Sequence, residues 1–446
     1  MSAWPRSIPP LELTALYRDK VNKTVYLGPT EFPDPTLSEP RAHVIQVCAV
    51  ALTHGELDWP TTHDRPIPGY EYSGYVVSAP AHSPFTPGLQ VYGHTSFDCL
   101  GNARPYTLAL FQELCIQPTH LSWEQCANVP LGALTAFQAL FDHGLLERPA
   151  HTDHWTPINK RCLPESNLQK LTLITGASGE VGAWAVQLAA RAGAGHIVAT
   201  CPASDVPFVR SLAAAHEVLD EAAEGNLERW ARSKFHIVLD CVGGATLRAA
   251  WRVVHAEGRI ISVATPAICE KPPRGVSPGV TTGWFIVTAA QNELELIATL
   301  LNYGLLRAPL DGDNVFDMED YERALERLRS GSRGKVVLRV NMRDPRPVIE
   351  LLKEYGSIES DNDWLADGAD DDMDDGDDDD DSDLDDLVLD GEEEEEEEQM
   401  GAATGLQPPP PPPPPPPAVL ERVEPPERMD QGNPLAIPIH TVGVDQ

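Results

Sequence analysis

No CxxC pair occurs in the 446 residues, and the eight cysteines, at Cys48, Cys99, Cys115, Cys126, Cys162, Cys201, Cys241 and Cys269, are scattered along the chain. That spacing supports neither a zinc knuckle nor a disulfide framework. No apolar run approaches the roughly 18 residues needed to span a bilayer, so a membrane role is not expected. The amino-terminal MSAWPRSIPP lacks a basic segment followed by an apolar one, the pattern of a secretory leader. These absences lead to the expectation of a cytoplasmic protein with reduced thiols, the nucleus still open. Basic charge is scarce as well: 33 Lys and Arg stand against 68 Asp and Glu, with no basic stripe. Nucleic-acid binding is therefore not expected, because phosphate backbones are held by clustered cations. His54, His63, His82 and His94 form no HxH or HExxH pattern, which leaves them ordinary surface or core roles rather than metal binding.

What is present in excess is acid, and it is concentrated. The formal net charge is −35, yet 25 Asp or Glu and no Lys or Arg lie between Glu359 and Glu398, which leaves about −10 on the remainder. A block of that charge density cannot bury enough apolar surface to offset its ordering entropy. Ten consecutive prolines, Pro408 to Pro417, follow it and predict a stiff polyproline II rod. Residues 342–446 thus read as a disordered tail. Such a tail has the chemistry to hold basic proteins or to dock into SH3, WW or profilin-like domains, or it is a solubilising extension without a partner.

The first 135 or so residues read as short strands broken by turns. HVIQVCAVAL is β-rich, and GYEYSGYVVSA alternates before meeting Pro80, Pro84 and Pro87-Gly88. Leu131, Leu134, Phe137, Leu140 and Phe141 then recur at helical spacing. Glu147 to Lys170 is polar, has no period and reads as a surface loop. Beyond it, LTLITG, HIVAT, FHIVLDCVGG and GRIISVAT are apolar strands alternating with helical segments such as AWAVQLAARAGA. This alternation predicts parallel βαβ units in an α/β doubly wound sheet.

Three glycines at spacing three, Gly176, Gly179 and Gly182 in LITGASGEVG, stand between a strand and a helix. In that setting they form a dinucleotide fingerprint: the backbone from Gly176 through Ala177, Ser178, Gly179, Glu180 and Val181 to Gly182 turns tightly and brings a pyrophosphate to a helix amino terminus. An acid at the end of the second strand would hold the ribose hydroxyls of NAD. Here IVAT runs into Cys201, Pro202, Ala203 and Ser204, which favours NADPH over NADH. Ser204 is the hydrogen-bond donor to a 2'-phosphate and Arg210 its charge partner; Arg210 reads equally as a solvated helix residue, and Asp205 would repel a phosphate if it pointed inward.

AVALTHGELDWP, IPGYEYSG, NVPLGALTAFQAL, LITGASGEVGAWAVQLA, VLDCVGG, GWFIV and RGKVVLRV resemble, in order and spacing, the medium-chain dehydrogenase/reductase superfamily, and within it the quinone oxidoreductase-like (zeta-crystallin-like, enoyl reductase) branch. The resemblance implies a GroES-like β-rich substrate domain over 1–135, a Rossmann domain over 136–280, and a return to the first domain over 281–341. It places Thr135 near the nicotinamide, and Val242, Phe285 and Val287 along the cofactor channel. Gly243 and Gly244 allow close approach, and Lys335 is a candidate to reach the cofactor. Zinc-dependent members have a cysteine where this chain has Thr53 and a histidine where it has Tyr70, so neither zinc site is expected. Glu56, Trp59 and Tyr70 are candidate pocket residues, Thr53 and Tyr70 candidate catalytic ones, and Tyr70, Tyr72 or solvent the proton donor. The activity implied is hydride transfer to a small activated alkene, quinone or related carbonyl substrate, in a protein for which a homodimer is one arrangement. The other reading is a catalytically silent Rossmann scaffold whose tail does the work; nucleotide binding separates the two.

Overall fold

A computed structural model describes residues 13–354, apart from 23, 36–38, 151–154, 156–162, 223–233, 311 and 331–333. The acidic run, the proline run and the partner expectations attached to them lie outside the described residues.

The amino-terminal half is β-rich. Strands β1 (Thr14–Asp19) and β2 (Thr24–Pro29) form a hairpin of their own. Next comes β3 (His43–Leu52), buried along all ten residues. Its continuous apolar run, rather than an alternating one, is what a strand covered on both faces requires. It pairs antiparallel with β4 (Glu71–Ser78), which pairs with β5 (Gln90–His94); β6 (Tyr106–Ala109) also pairs with β3, and β7 (Leu114–Ile116) with β5. Ser122 and Gln125 then cap each other reciprocally at the start of α1 (Trp123–Ala127). Helix α2 (Pro130–Phe141) begins on a proline, whose missing N–H costs nothing at that position. Leu131, Leu134, Phe137 and Leu140 are buried as their spacing predicts, but so is every residue from Pro130 to Leu140. Such a helix is a wedge inside the protein rather than a surface helix.

The second half is a parallel sheet. Its members are β8 (Leu171–Ile174), β9 (His196–Cys201), β10 (Glu217–Asp220), β11 (Phe235–Asp240), β12 (Val254–Ser262) and β13 (Thr281–Gly283), in the order β10-β9-β8-β11-β12-β13. Every pairing is parallel. This is the doubly wound order, with its switch point between β8 and β11. Successive residues face opposite sides: Ile174, Ile237 and Leu239 join one core and Leu173, Val238 and Ile260 another. The first core is covered by α2, by α3 (Glu180–Arg191) and by α6 (Gln291–Asn302); the second by α5 (Gly244–Val253). A short helix, α4 (Val206–Ser211), follows β9. Among the described residues no helix is long and apolar enough to cross a membrane.

Two expected boundaries shift. The return to the antiparallel sheet does not start at 281: β13 still pairs with β12, and α6 buries Leu294, Ile297, Leu300 and Leu301 against the Rossmann core. The chain re-enters the first sheet with β14 (Val315–Asp317), then α7 (Tyr321–Arg329) and β15 (Val336–Arg339), which lies antiparallel to β3. Nor does the fold end at Asn341. Helix α8 (Arg346–Glu354) buries Val348, Ile349 and Leu352 in a core with Leu13, Phe32, Val44, Val77 and Tyr106. Those three apolar positions at helical spacing sit just before the acidic block and are masked by its composition. Ile349→Ala should lower stability by about 2 kcal/mol, read from denaturation midpoints, and a chain ending at 341 should melt well below one ending at 354. Equal melting of the two would mean that α8 contributes nothing to the fold.

Candidate active site

The glycine turn lies where the parallel strand order reverses. Gly176 has φ +62°, and a Cβ on Gly182 would sit 2.2 Å from the Gly176 carbonyl oxygen. Both positions therefore need glycine, one for its backbone conformation and one for close approach. A Cβ on Gly179 would meet only the Gly176 oxygen, at 3.2 Å, so the outer side of the turn is open toward a ligand. Ala177, Ser178, Glu180 and Val181 complete the turn and start α3, whose first N–H groups have no intrahelical acceptors. These features fit a dinucleotide pyrophosphate. Asp240, absent from the sequence-derived candidates, organises the crevice: its buried carboxylate accepts from Thr175 Oγ1 (2.8 Å), Ser262 Oγ (2.7 Å) and Gly243 N (3.0 Å). It thereby ties the carboxyl ends of β8 and β12 to the loop that opens α5. Val242, in that loop, is a 44 % exposed apolar residue beside the glycine turn.

On the other wall, Gln138 grips Thr288 by donating to its carbonyl (2.9 Å) and accepting from its N–H (3.1 Å). This fixes the segment that carries Phe285 and Val287; Phe285 stacks on His143 at 4.2 Å, and Val287 is buried. Thr135, also buried, spends its hydroxyl on the Leu131 carbonyl (2.7 Å).

Between the two sheets lies a charged cluster that sequence reasoning did not assemble. Lys335, on the approach to β15, is fully buried, its Nζ paired with Glu71 and 3.0 Å from Glu180 Oε1. The reach expected of Lys335 thus ends on two carboxylates, one of them in the cofactor turn itself. Glu71 Oε2 also accepts from Leu131 N at 2.9 Å, at the start of α2. Thr53 Oγ1 donates to Glu180 Oε1 at 3.4 Å, and the buried Glu56 accepts from Thr53 N (3.0 Å) and Gly69 N (2.9 Å). Burial pushes Glu56 up to about 8 despite those two donors, with Glu71 and Glu180 adding to the shift. It likewise pushes Glu71 up to about 7, opposed by Lys335. Burial pulls Lys335 down, but Glu180 and Glu71 outweigh it and hold the ammonium above its ordinary value.

Tyr70 packs against Trp59 (6.0 Å, stacked) and Phe97 (5.0 Å), and Phe97 meets His94. Burial, then the charge of Glu56, raise the Tyr70 phenol above its usual value. His94 donates Nδ1–H to the Tyr70 carbonyl (2.9 Å) and is pushed down to about 4 by burial, so it is neutral. Tyr72 is removed as a proton donor: it is fully buried, and its hydroxyl donates to the Glu113 carbonyl (3.4 Å). Among the described residues no three His, Cys, Asp or Glu side chains converge on a metal site. The hydroxyl of Thr53, the phenol of Tyr70 and a Glu71 carboxylate already taken by Lys335 do not fit a zinc ion.

Ser204 and Arg210 lie apart from the cluster, exposed at the end of β9, where Ser204 Oγ donates to Asp205 Oδ1 at 3.3 Å. Burial pushes the neighbouring Cys201 thiol up to about 11, with Asp205, Glu221 and Asp220 adding and Arg210 opposing. Three carboxylates therefore surround this strand end against one guanidinium.

Comparison with known proteins supports the fold and a nicotinamide cofactor, while two of the matches are named zinc-binding. Residues 213–338 match the family model described as zinc-binding dehydrogenase. A probable zinc-binding oxidoreductase, mitochondrial, of Arthroderma benhamiae is 36% identical over 327 residues, covering 71% of this chain and 93% of that protein. An NAD(P)H oxidoreductase RTN4IP1, mitochondrial, of Danio rerio is 24% identical over 57% of this chain and 67% of its own. The quinone oxidoreductase of Coxiella burnetii shares the fold with a TM-score of 0.60 and 21% identity, over 74% of this chain and all of that one. The mitochondrial names of the relatives overturn the cytoplasmic expectation and point to the mitochondrion. The criterion behind that expectation, a basic segment leading into an apolar one, detects secretory leaders and is silent on mitochondrial import. With a relative matched over nearly its full length, a family model and a shared fold, the chain belongs to the medium-chain dehydrogenase/reductase superfamily and is an NAD(P)H-dependent oxidoreductase.

Proposed function

We propose that the protein delivers hydride from NADPH to an activated alkene, a quinone or a related carbonyl compound, without a resident zinc ion and with Tyr70 as proton donor. The observation that carries this reading is the junction of the glycine turn, through Glu180, with Thr53 and with Glu71 beside Tyr70. Cofactor turn and substrate wall thus share one buried cluster whose cation is an ammonium.

The nicotinamide supplies the hydride. The protein's part is to bind, orient and protonate. Backbone N–H groups at the start of α3 would hold the pyrophosphate, and Thr135, Val242, Phe285 and Val287 would line the nicotinamide end of the crevice. Trp59 stacked on Tyr70, with Phe97 edge-on to both, forms an aromatic wall that excludes water and suits an apolar, conjugated acceptor. Thr53 and Tyr70 are poor metal ligands, so the lining would hold no Lewis acid beside a developing alkoxide and a simple ketone would be a poor substrate; an enone or quinone spreads that charge over its own conjugated system. Tyr70 keeps its proton at neutral pH and has it to give when hydride arrives. Ser204 and Arg210 favour the 2'-phosphate, while Asp205, Asp220 and Glu221 limit that preference.

Titration with NADPH and NADH, followed by nucleotide fluorescence, tests the cofactor half. Gly179→Asp should abolish binding of both nucleotides, and Arg210→Ala should weaken NADPH about ten-fold while leaving NADH nearly unchanged. A folded protein that binds neither nucleotide would remove the reading. For the chemical half, Tyr70→Phe should lower kcat on an enone or quinone by roughly a hundred-fold with little change in KM. An unchanged kcat would pass the donor role to solvent.

A further inference from the structure

We propose that Arg18, on the detached β1–β2 hairpin, is the positioning residue that holds the substrate wall in place. One side of the wall is the single 3-10 turn Glu56–Asp58 and the following Trp59. Arg18 Nη1 donates to the carbonyls of Glu56 (3.0 Å) and Leu57 (2.9 Å), and Nη2 to that of Trp59 (2.9 Å). One planar guanidinium therefore reaches three carbonyls of a one-turn helix, of which that of Glu56 also accepts from Trp59 N (3.1 Å), a task its rigid fork suits and a lysine ammonium does not. The hairpin that carries it is itself anchored, since Leu16 N donates to Ala103 O (2.9 Å) and Arg18 N to Pro66 O (2.8 Å). Lys20 Nζ adds a contact to the His63 carbonyl (2.8 Å), and His63 Nε2 lies 2.9 Å from the Asp98 carbonyl, next to Phe97.

The inner face of the clamped turn is the site. Trp59 stacks on Tyr70 and meets Phe97 edge-on at 5.1 Å, while the Glu56 carboxylate holds Thr53 N and Gly69 N. Behind the turn is a cleft of about 300 Å³ lined by Arg18, Lys20, Leu57, Asp58, Trp59 and Pro60. The guanidinium stands between that cleft and the turn's carbonyls. Arg18 touches no reacting atom; it acts through Trp59 on the face against which an acceptor lies and through Glu56 on the surroundings of Tyr70.

The role of Tyr70 and the acceptor class rest on the reading in the preceding section, whereas the clamp itself is tested without turnover. Hydrogen exchange of the full chain followed by mass spectrometry should show amides 56–60 exchanging about ten-fold faster in Arg18→Met than in the wild type, with β3 and β4 unchanged. Arg18→Lys should fall near Arg18→Met, because one ammonium cannot serve three carbonyls, and it guards against a fold lost to methionine. With a quinone as acceptor and NADPH as donor, both variants should raise the acceptor KM roughly five- to ten-fold and leave NADPH affinity within two-fold. Unchanged exchange at 56–60 overturns the clamp. Faster exchange with an unchanged acceptor KM overturns its role at the site, and a wild-type enzyme that reduces neither enone nor quinone overturns the substrate reading while the exchange result stands.

Discussion

The ammonium of Lys335 is the interaction on which the centre of the molecule depends. It is fully buried, and Glu71 on β4 and Glu180 at the head of α3 share it. Removing one partner of a buried pair leaves an uncompensated charge in a low-dielectric interior, which typically costs about 3–5 kcal/mol. The cluster is thus a geometric constraint more than a source of stability, since it fixes the antiparallel sheet relative to the cofactor turn. Glu71 extends the constraint to the first turn of α2 through Leu131 N, and Thr53 extends it to the loop that leads to Trp59. Glu56 stands close by, and burial raises its carboxyl to about 8, so it keeps its proton at neutral pH; burial raises Glu71 only to about 7, against the pull of Lys335.

A second buried carboxylate does the equivalent job on the far side of the crevice. Asp240 is satisfied entirely by neutral donors, two hydroxyls and a backbone N–H, and so needs no counter-cation. The two solutions match their positions. Asp240 joins neighbouring strands of one sheet, where short side chains reach. The Lys335 cluster joins elements of two sheets, where only a long, flexible side chain spans the distance between carboxylates.

These two groups also mark how far the sequence was legible. The glycine turn is local: strand, three glycines and helix lie within a dozen residues, and their geometry follows from backbone sterics alone. The alternation of apolar strands with helices likewise announced the parallel sheet, and the order of motifs announced the family. Lys335 and Glu71 are 264 residues apart, and nothing in either neighbourhood signals a partner. Asp240 was hidden in VLDCVGG, where attention went to the glycines. Tyr72 looked as available as Tyr70, but it lies within β4 and is fully buried, whereas Tyr70 precedes the strand. Helix α8 was lost because composition was averaged across a boundary: its apolar stripe ends at Leu352, and the acidic block begins seven residues later at Glu359.

A zinc-free site at Thr53 and Tyr70, as proposed above, has a consequence for the loops that bear these residues. A bound cation would polarise an acceptor and at the same time draw its ligands inward, holding the loops that bear them. On the proposed zinc-free reading, two protein contacts share that work. Glu56 binds the two ends of the 53–69 loop to each other by accepting from Thr53 N and Gly69 N. Arg18 holds the turn between them from outside. Neither contact polarises a substrate. In the reading proposed above, the wall is held rigid without a Lewis acid, which favours acceptors that carry their own means of spreading charge.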